Sequence, residues 1–127
     1  MILIDTSIWI DHLGVSDLTV HQLLSGRTVL MHPFVVGEIA CGNLRNRAGV
    51  LDLLRNLPQA AVAENDEVLE LVERHSLSGT GLGWVDAHLL AAVMLTPDAQ
   101  LWSRDKRLDV AAQALGIRFG AAGAQLH

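Results

Sequence analysis

The sequence predicts an α/β fold in which a central, mainly parallel sheet of four to five strands lies between layers of helices. The chain has 127 residues, the length of one domain, and is 50% hydrophobic with 18% charged residues, which indicates a globular protein. Short apolar runs rich in strand formers alternate with longer stretches in helical period. Repeated alternation of this kind is typical of a parallel sheet covered by helices on both faces.

Five short apolar runs are predicted to be strands, and the last of them is expected at a sheet edge. In chain order they are Met1–Ile4, Thr28–Met31, Ala60–Ala63, Leu101–Trp102 and Ile117–Phe119. No linker or internal repeat divides the chain. Residues 1–120 are therefore expected to form a single domain, followed by a flexible tail over residues 121–127.

Seven helices are predicted between and after these strands, each marked by a capping side chain, a proline in the first turn or a terminal glycine. They are one capped by Thr6 or Ser7, Leu18–Leu24 opened by Ser16 and Asp17, one from Pro33 to near Gly42, Val50–Leu57, one capped by Asn65 or Asp66, Trp84–Leu95, and Asp105–Leu115. The glycine-rich segment Ser76–Gly83 between two of them is predicted to be a loop.

The cysteine count and the length of the apolar runs also indicate the cellular compartment in which the protein is expected. The single cysteine, Cys41, excludes an internal disulfide and is consistent with a reducing cytoplasm. The longest late apolar run, Leu89–Leu95, is far too short to span a bilayer. We therefore expect a soluble, cytoplasmic protein with no membrane partner.

Four acidic residues lie where an apolar segment meets a turn or opens a helix. They are Asp5 in MILIDTSIWID, Glu38 in FVVGEIACG, Asp86 in GLGWVDAHLLAA and Asp105 in LWSRDKRL. Burying a carboxylate costs several kcal/mol unless a cation or hydrogen bonds compensate its charge. Four such placements together predict one shared, compensated site.

The predicted elements bring these acids to one edge of the sheet. Asp5 and Asp105 follow strands, and binding sites of parallel sheets lie outside the carboxyl ends of the strands. Glu38 and Asp86 lie near helix N-termini, where the helix dipole favours negative charge. A ligand set made only of oxygens favours Mg²⁺ or Mn²⁺, so the pattern suggests a metal centre able to cleave phosphodiesters.

These residues carry a resemblance to a known family. From IDTSIWID through VVGEIACG and GLGWVDAHLLAA to LWSRDKRL, the chain resembles PIN-domain ribonucleases, particularly VapC toxins of toxin–antitoxin pairs. The resemblance implies a PIN-like α/β/α sandwich with Asp5, Glu38, Asp86 and Asp105 as catalytic, metal-binding acids. It also implies supporting roles for two hydroxyls, Ser7 and Ser103, that match Thr or Ser positions of the family. Asp105 is the least uniform of the four acids, and Leu108 stands where an aromatic residue is common.

The activity implied by the resemblance is that of an endoribonuclease toxin of a type II toxin–antitoxin system. Water activated by Mg²⁺ or Mn²⁺ hydrolyses RNA phosphodiester bonds and leaves 5′-phosphate and 3′-hydroxyl ends. The implied partners are RNA, a cognate antitoxin and a second copy of the chain in a homodimer.

The basic residues are considered as RNA contacts because the net charge of −5 is unevenly distributed. Arg104, Lys106 and Arg107 flank the last acid, and arginine suits bidentate phosphate recognition. At least one of the three is predicted to contact RNA phosphates beside the cleavage site, although a solvated helix start would have the same composition. Asp11, six residues after Asp5, is left outside the metal set.

Two other functional classes remain open at this point. A receiver-like or phosphoryl-transfer domain also clusters aspartates with a hydroxyl and a lysine, but the single lysine, Lys106, directly follows an acid, and Glu38 has no role there. A non-catalytic interaction module of PIN shape is the second class, and the four intact acids argue against it. The tryptophans Trp9, Trp84 and Trp102 lie among apolar neighbours, so they are predicted to pack in the core rather than to stack on bases.

Overall fold

The computed structural model describes residues 1–120, and it contains a three-stranded parallel sheet in which each strand is followed by one or more helices. In chain order the elements are β1 (Ile2–Ile4), α1 (Thr6–Gly14), α2 (Leu18–Ser25), β2 (Val29–Leu30), α3 (Pro33–Ala40), α4 (Arg47–Arg55), α5 (Asn65–Arg74), α6 (Trp84–Leu95), β3 (Gln100–Trp102) and α7 (Lys106–Ala114). The α/β class and all seven predicted helices are confirmed in this part of the chain. The predicted tail, residues 121–127, lies outside the described residues.

The sheet is smaller than the sequence predicts. Its strand order is β2-β1-β3, and both neighbours run parallel to β1. The strands predicted at Ala60–Ala63 and Ile117–Phe119 are reduced to isolated parallel bridges, one between Met31 and Gln59 and one between Leu101 and Arg118. Toward the sheet within residues 1–120, the first segment hydrogen-bonds only to the backbone of Met31 and the second only to the backbone of Leu101, which is too little pairing to form a ladder.

Helices cover both faces of the sheet. Successive side chains of a strand point to opposite faces, and all three residues of β1 are buried, so neither face of this strand is open to solvent. The helix α6 is buried over seven consecutive residues, Ala87–Val93, which is possible only for a helix packed on most sides. Among residues 1–120, no helix combines the length and apolar character needed to cross a membrane.

Three helix starts differ from the sequence prediction by one or two residues. The first helix is capped by Asp5 rather than by Thr6 or Ser7, and α5 is capped by Glu64 rather than by Asn65 or Asp66. Asp105 precedes α7 as its cap instead of forming its first turn. In each case an acidic side chain lies nearest the free backbone amides of the helix, where its charge is most favourable.

Candidate active site

Asp5 lies at the junction of β1 and α1, and its carboxylate is almost completely buried. Its Oδ1 atom accepts a hydrogen bond of 2.7 Å from the Thr6 amide, which caps α1. Its Oδ2 atom accepts from the hydroxyls of Ser7, at 3.0 Å, and Ser103, at 2.7 Å. Three donors thus compensate the buried charge and fix the orientation of the carboxylate.

The contact with Ser103 follows from the sheet. Because β1 and β3 are parallel neighbours with Ile4 opposite Trp102, the residues that follow them come together at the same edge. The Asp5 amide donates to the Trp102 carbonyl at 2.9 Å, which places Ser103 directly beside the acid. Both hydroxyl residues singled out by the sequence, Ser7 and Ser103, therefore contact the first acid.

Glu38 reaches the same region from α3, and its carboxylate is exposed. Its Oε1 atom accepts a 2.6 Å hydrogen bond from the Thr6 hydroxyl. Thr6 consequently joins two acids, because its amide binds Asp5 while its side chain binds Glu38. Sequence reasoning assigned Thr6 only a capping role, although the hydroxyl directly after Asp5 was the clue to its second contact.

Asp86 lies in the first turn of α6, where its Oδ2 atom accepts from the Gly83 amide at 3.4 Å. Partial burial raises the pKa of this carboxyl above its usual value, and the negative charges of Asp5, Asp105 and Glu38 raise that pKa further. Repulsion of this kind requires the carboxylates to lie near one another. The fold thus brings all four predicted acids into one electrostatic cluster.

Asp105 completes this cluster from the start of α7. Its Oδ1 atom accepts from the Leu108 amide at 3.0 Å, and its own amide donates to the Ser103 hydroxyl at 2.9 Å. Ser103 therefore links Asp5 to Asp105 in the same way that Thr6 links Asp5 to Glu38. The Asp105 side chain is exposed, in contrast to the buried Asp5.

The donor set fits a hard divalent cation. None of the ion pairs found within residues 1–120 involves any of the four acids, so their negative charges have no cationic side chain as a partner in this part of the chain. Carboxylate and hydroxyl oxygens are the ligands that Mg²⁺ and Mn²⁺ prefer. Among residues 1–120, the acids do not form a set of three ligands close enough to hold one ion, and each carboxylate accepts a hydrogen bond from a local donor.

Comparison with known proteins agrees with this arrangement. The model of the PIN domain family matches residues 2–114. This chain belongs to the PIN-domain family. Two relatives, both named Ribonuclease VapC32 and from Mycobacterium tuberculosis strains CDC 1551 / Oshkosh and H37Rv, are 50% identical to it over 117 residues. Those alignments cover 92% of this chain and 94% of each relative.

Within this PIN domain, the predicted basic cluster separates into two parts. The Arg104 guanidinium donates to Asp11 at 2.6 Å and to Asp17 at 3.0 Å, so its charge is already paired with two carboxylates. Asp11, which the sequence left without a role, is one of these partners. The Arg104 amide also donates to the Ser7 hydroxyl at 3.2 Å. Arg104 therefore joins the loop after β3 to α1 and to the start of α2.

Lys106 and Arg107 are exposed at the beginning of α7. They border an open groove of about 500 Å³ between this helix and the segment after α5. The Arg107 side chain also lies against the backbone of Gly81, in the glycine-rich loop that leads to α6. Neither residue is held in an ion pair among residues 1–120, so both charges are available to a phosphate.

The tryptophans do not all pack as the PIN-domain sequence predicts. Trp9 is buried, and Trp102 is partly buried against Phe119. Trp84 is 45% exposed, so the prediction that it packs in the core is wrong. It is the first residue of α6, whereas the fully buried part of that helix begins at Ala87. Its apolar sequence neighbours concealed this position at the end of the helix.

Proposed function

We propose that this PIN-domain chain is a metal-dependent endoribonuclease and the toxin of a type II toxin–antitoxin system. The observation that carries the proposal is the cluster of four acids, in which burial and three neighbouring negative charges raise the pKa of Asp86. The name Ribonuclease VapC32, borne by relatives aligned over nearly the whole chain, supports the activity and the toxin role. Against the receiver-like alternative, Lys106 is the first residue of α7 and follows the acid Asp105 directly, instead of following a strand.

The cofactor in this proposal is Mg²⁺ or Mn²⁺, held by Asp5, Asp86, Glu38 and Asp105. A divalent cation bound among these oxygens neutralises the cluster and supplies Lewis acidity toward water and the phosphoryl group. The carboxylates attract the cation, and its charge relieves their mutual repulsion.

The side chains around the acids have positioning roles in the proposal. Ser7 and Ser103 hold the buried Asp5 carboxylate in one orientation, and Thr6 holds Glu38 beside it. The short links through Thr6 and Ser103 keep three acids from separating under their mutual repulsion. The hydroxyls donate to these carboxylates and so hold them in fixed orientations around the site.

The proposed partners are an RNA substrate, a cognate antitoxin protein and a second copy of the chain. Lys106 and Arg107 are the proposed RNA-backbone contacts, and Arg104 joins them only where RNA displaces its two aspartates. Cytoplasmic action is part of the same proposal, since the RNA is there and the one cysteine in the sequence is unpaired.

The decisive experiment replaces Asp86 with asparagine, which removes one charge from the cluster at nearly constant volume. We expect Asp86→Asn to lose Mg²⁺-dependent cleavage of RNA by at least about 100-fold, the scale seen when one electrostatic contact to a transition state is removed. Mg²⁺ should also raise the melting temperature of the wild type more than that of this variant.

Asp66→Asn is the matched control, because Asp66 is an exposed acid in the first turn of α5 and is not part of the cluster. It should cleave RNA and respond to Mg²⁺ like the wild type. Full activity in a folded Asp86→Asn protein would refute the assignment of the site, and equal melting shifts in all three proteins would refute the shared cation.

A further inference from the structure

A row of aromatic rings leads from the core to the surface beside the acid cluster. His32 and Phe34 have ring centroids 5.1 Å apart, Phe34 and His88 are 4.7 Å apart, and His88 and Trp84 are 4.7 Å apart. His32 and His88 are buried, Phe34 is partly buried, and Trp84 is 45% exposed. The row therefore ends in a large aromatic ring that faces solvent.

This row occupies the same two helices as two of the acids. Phe34 and Glu38 are four residues apart on α3 and so lie on one face of that helix. Trp84 and Asp86 share the first turn of α6, whose N-terminal end carries the Asp86 carboxylate against the Gly83 amide. Two residues apart on a helix, the side chains of Trp84 and Asp86 point to different faces, so the exposed ring shares with the acid the N-terminal end of α6.

The Trp84 ring is also held in place. His88 meets it edge-on, with an interplanar angle of 85°, and the Phe34 ring in turn lies against His88 at an interplanar angle of 60°. An isolated exposed apolar residue needs no explanation. A tryptophan that is supported by a buried ring and exposed at the helix end that carries one of the acids is different, because a fixed ring loses little entropy when a ligand stacks on it.

We propose that Trp84 is the stacking platform for a base of the single-stranded RNA, next to the phosphodiester that is cleaved. The inference rests on the proposed function and adds to it the residue that holds the base. Without a bound cation the acidic side chains repel the phosphates of the substrate, so a contact that does not depend on charge adds affinity that the acids cannot supply. A base stacked on an aromatic ring supplies such a contact, and it tolerates any sequence because every base has a π-face.

The experiment compares two fluorescent oligoribonucleotides of equal length, one with all its bases and one with consecutive abasic positions at its centre. Both carry the same phosphates, so the ratio of their dissociation constants reports base contacts and not charge. Binding is measured by anisotropy with Asp86→Asn protein in EDTA, which stops metal-dependent cleavage. With Trp84 present, we expect the base-containing RNA to bind roughly 5- to 150-fold more tightly.

Adding Trp84→Ala should reduce this ratio to near one, and Trp84→Leu should do the same, since leucine keeps apolar bulk but has no ring. Trp84→Phe should retain an intermediate ratio. Leu95→Ala is the control, because Leu95 is 47% exposed at the opposite end of the same helix and should leave the ratio unchanged. The leucine and phenylalanine variants keep the test decisive where alanine unfolds the protein.

An unchanged ratio in Trp84→Leu would overturn the inference. So would a variant that binds both RNAs normally but loses affinity for the cognate antitoxin, since Trp84 would then belong to a protein interface. The measurement requires neither metal nor cleavage. A failure of the proposed catalytic site would appear in the Asp86→Asn activity assay, whereas a failure of the stacking platform appears only here.

Discussion

At the scale of single residues, the four acids are held in different ways. Asp5 is buried and accepts three hydrogen bonds, whereas Asp86 has one long contact and a raised pKa caused by burial and by three neighbouring acids. Neutralising either acid removes one negative charge and so relieves repulsion within the cluster. The two replacements differ in their other effects, because replacing Asp5 also disturbs three hydrogen-bond donors, whereas replacing Asp86 affects one long hydrogen bond besides the charge.

A substitution at Ser103 tests how much its hydrogen bond to the buried Asp5 carboxylate contributes to stability. Ser103→Ala removes one of the three donors to the buried carboxylate and the acceptor of the Asp105 amide. We expect the free energy of unfolding to fall by about 1 to 3 kcal/mol, the range for a lost hydrogen bond to a buried charge. Urea unfolding in EDTA measures the effect, and Ser103→Thr, which keeps the hydroxyl, is the control. Equal stability of the alanine variant and the wild type would show that the other two donors suffice.

At the scale of the elements, Arg104 connects the loop after β3 to α1 and α2 through Asp11 and Asp17. Both ion pairs are partly exposed, so Arg104→Ala should lower stability by at most about 1 kcal/mol. Because its charge is paired within the protein, we expect this variant to leave the salt dependence of RNA binding unchanged. Arg107→Ala should flatten the slope of log affinity against log salt by about 0.7, the value for one lost phosphate contact to a single strand.

These slopes are measured with Asp86→Asn protein across a salt series, and Lys106→Ala should behave like Arg107→Ala. A flatter slope in Arg104→Ala would mean that RNA displaces Asp11 and Asp17 from the guanidinium. Unchanged slopes in all three variants would leave the basic cluster without a role in RNA binding.

The loop before α6 contains a matched pair of glycines. Gly79 and Gly81 both have positive φ, at 77° and 87°, but only Gly81 approaches a side chain. A Cβ at Gly81 would lie 2.7 Å from the Arg107 Nε, while one at Gly79 would meet nothing within 4 Å. Alanine at either position should cost about 1 to 2 kcal/mol of stability for the left-handed conformation.

Gly81→Ala should in addition displace Arg107 and disturb the loop that leads to Trp84 and Asp86. We expect it to lower RNA affinity several-fold more than Gly79→Ala, as measured by anisotropy. In an Arg107→Ala background the two alanine variants should become equivalent. A persistent difference there would assign the effect to the loop backbone instead of to Arg107.

The elements show how far the sequence determines the fold. Periodicity and capping residues predict every helix found in residues 1–120, because helical contacts are local. The segments at Gln59 and Arg118 are harder to predict, since their pairing depends on single contacts with Met31 and Leu101 that are distant in sequence. The convergence of the acids is predictable from parallel topology. The exposure of Trp84 is not, because it depends on where neighbouring elements stop covering α6.

At the scale of the whole molecule, the two buried histidines, His32 and His88, make the free energy of unfolding depend on pH. His32 is fully buried and caps α3, with its Nδ1 atom accepting from the Phe34 amide at 3.0 Å, and its Nε2 atom has no hydrogen-bond partner among residues 1–120. Burial, followed by the charge of His88, lowers the pKa of His32 from 6.5 to about 4. The neutral ring therefore belongs to the folded state.

The sign of the pH dependence follows from this difference. Between about pH 6.5 and pH 4 the unfolded chain binds a proton at His32 that the folded chain does not, so stability falls as the pH is lowered. From pH 7 to pH 5, we expect His32 to account for about 2 kcal/mol of lost unfolding free energy. Urea unfolding at the two pH values gives this loss for the wild type.

His32→Asn is the informative variant, because asparagine keeps an acceptor for the Phe34 amide but does not titrate. At pH 7 this variant should be the less stable protein, since the smaller side chain leaves space beside Phe34. The gap between the two proteins should then narrow by about 2 kcal/mol at pH 5, because only the wild type pays for keeping an imidazole neutral. Parallel losses of stability in both proteins would assign the acid sensitivity to His88 and His12, whose pKa values burial also lowers.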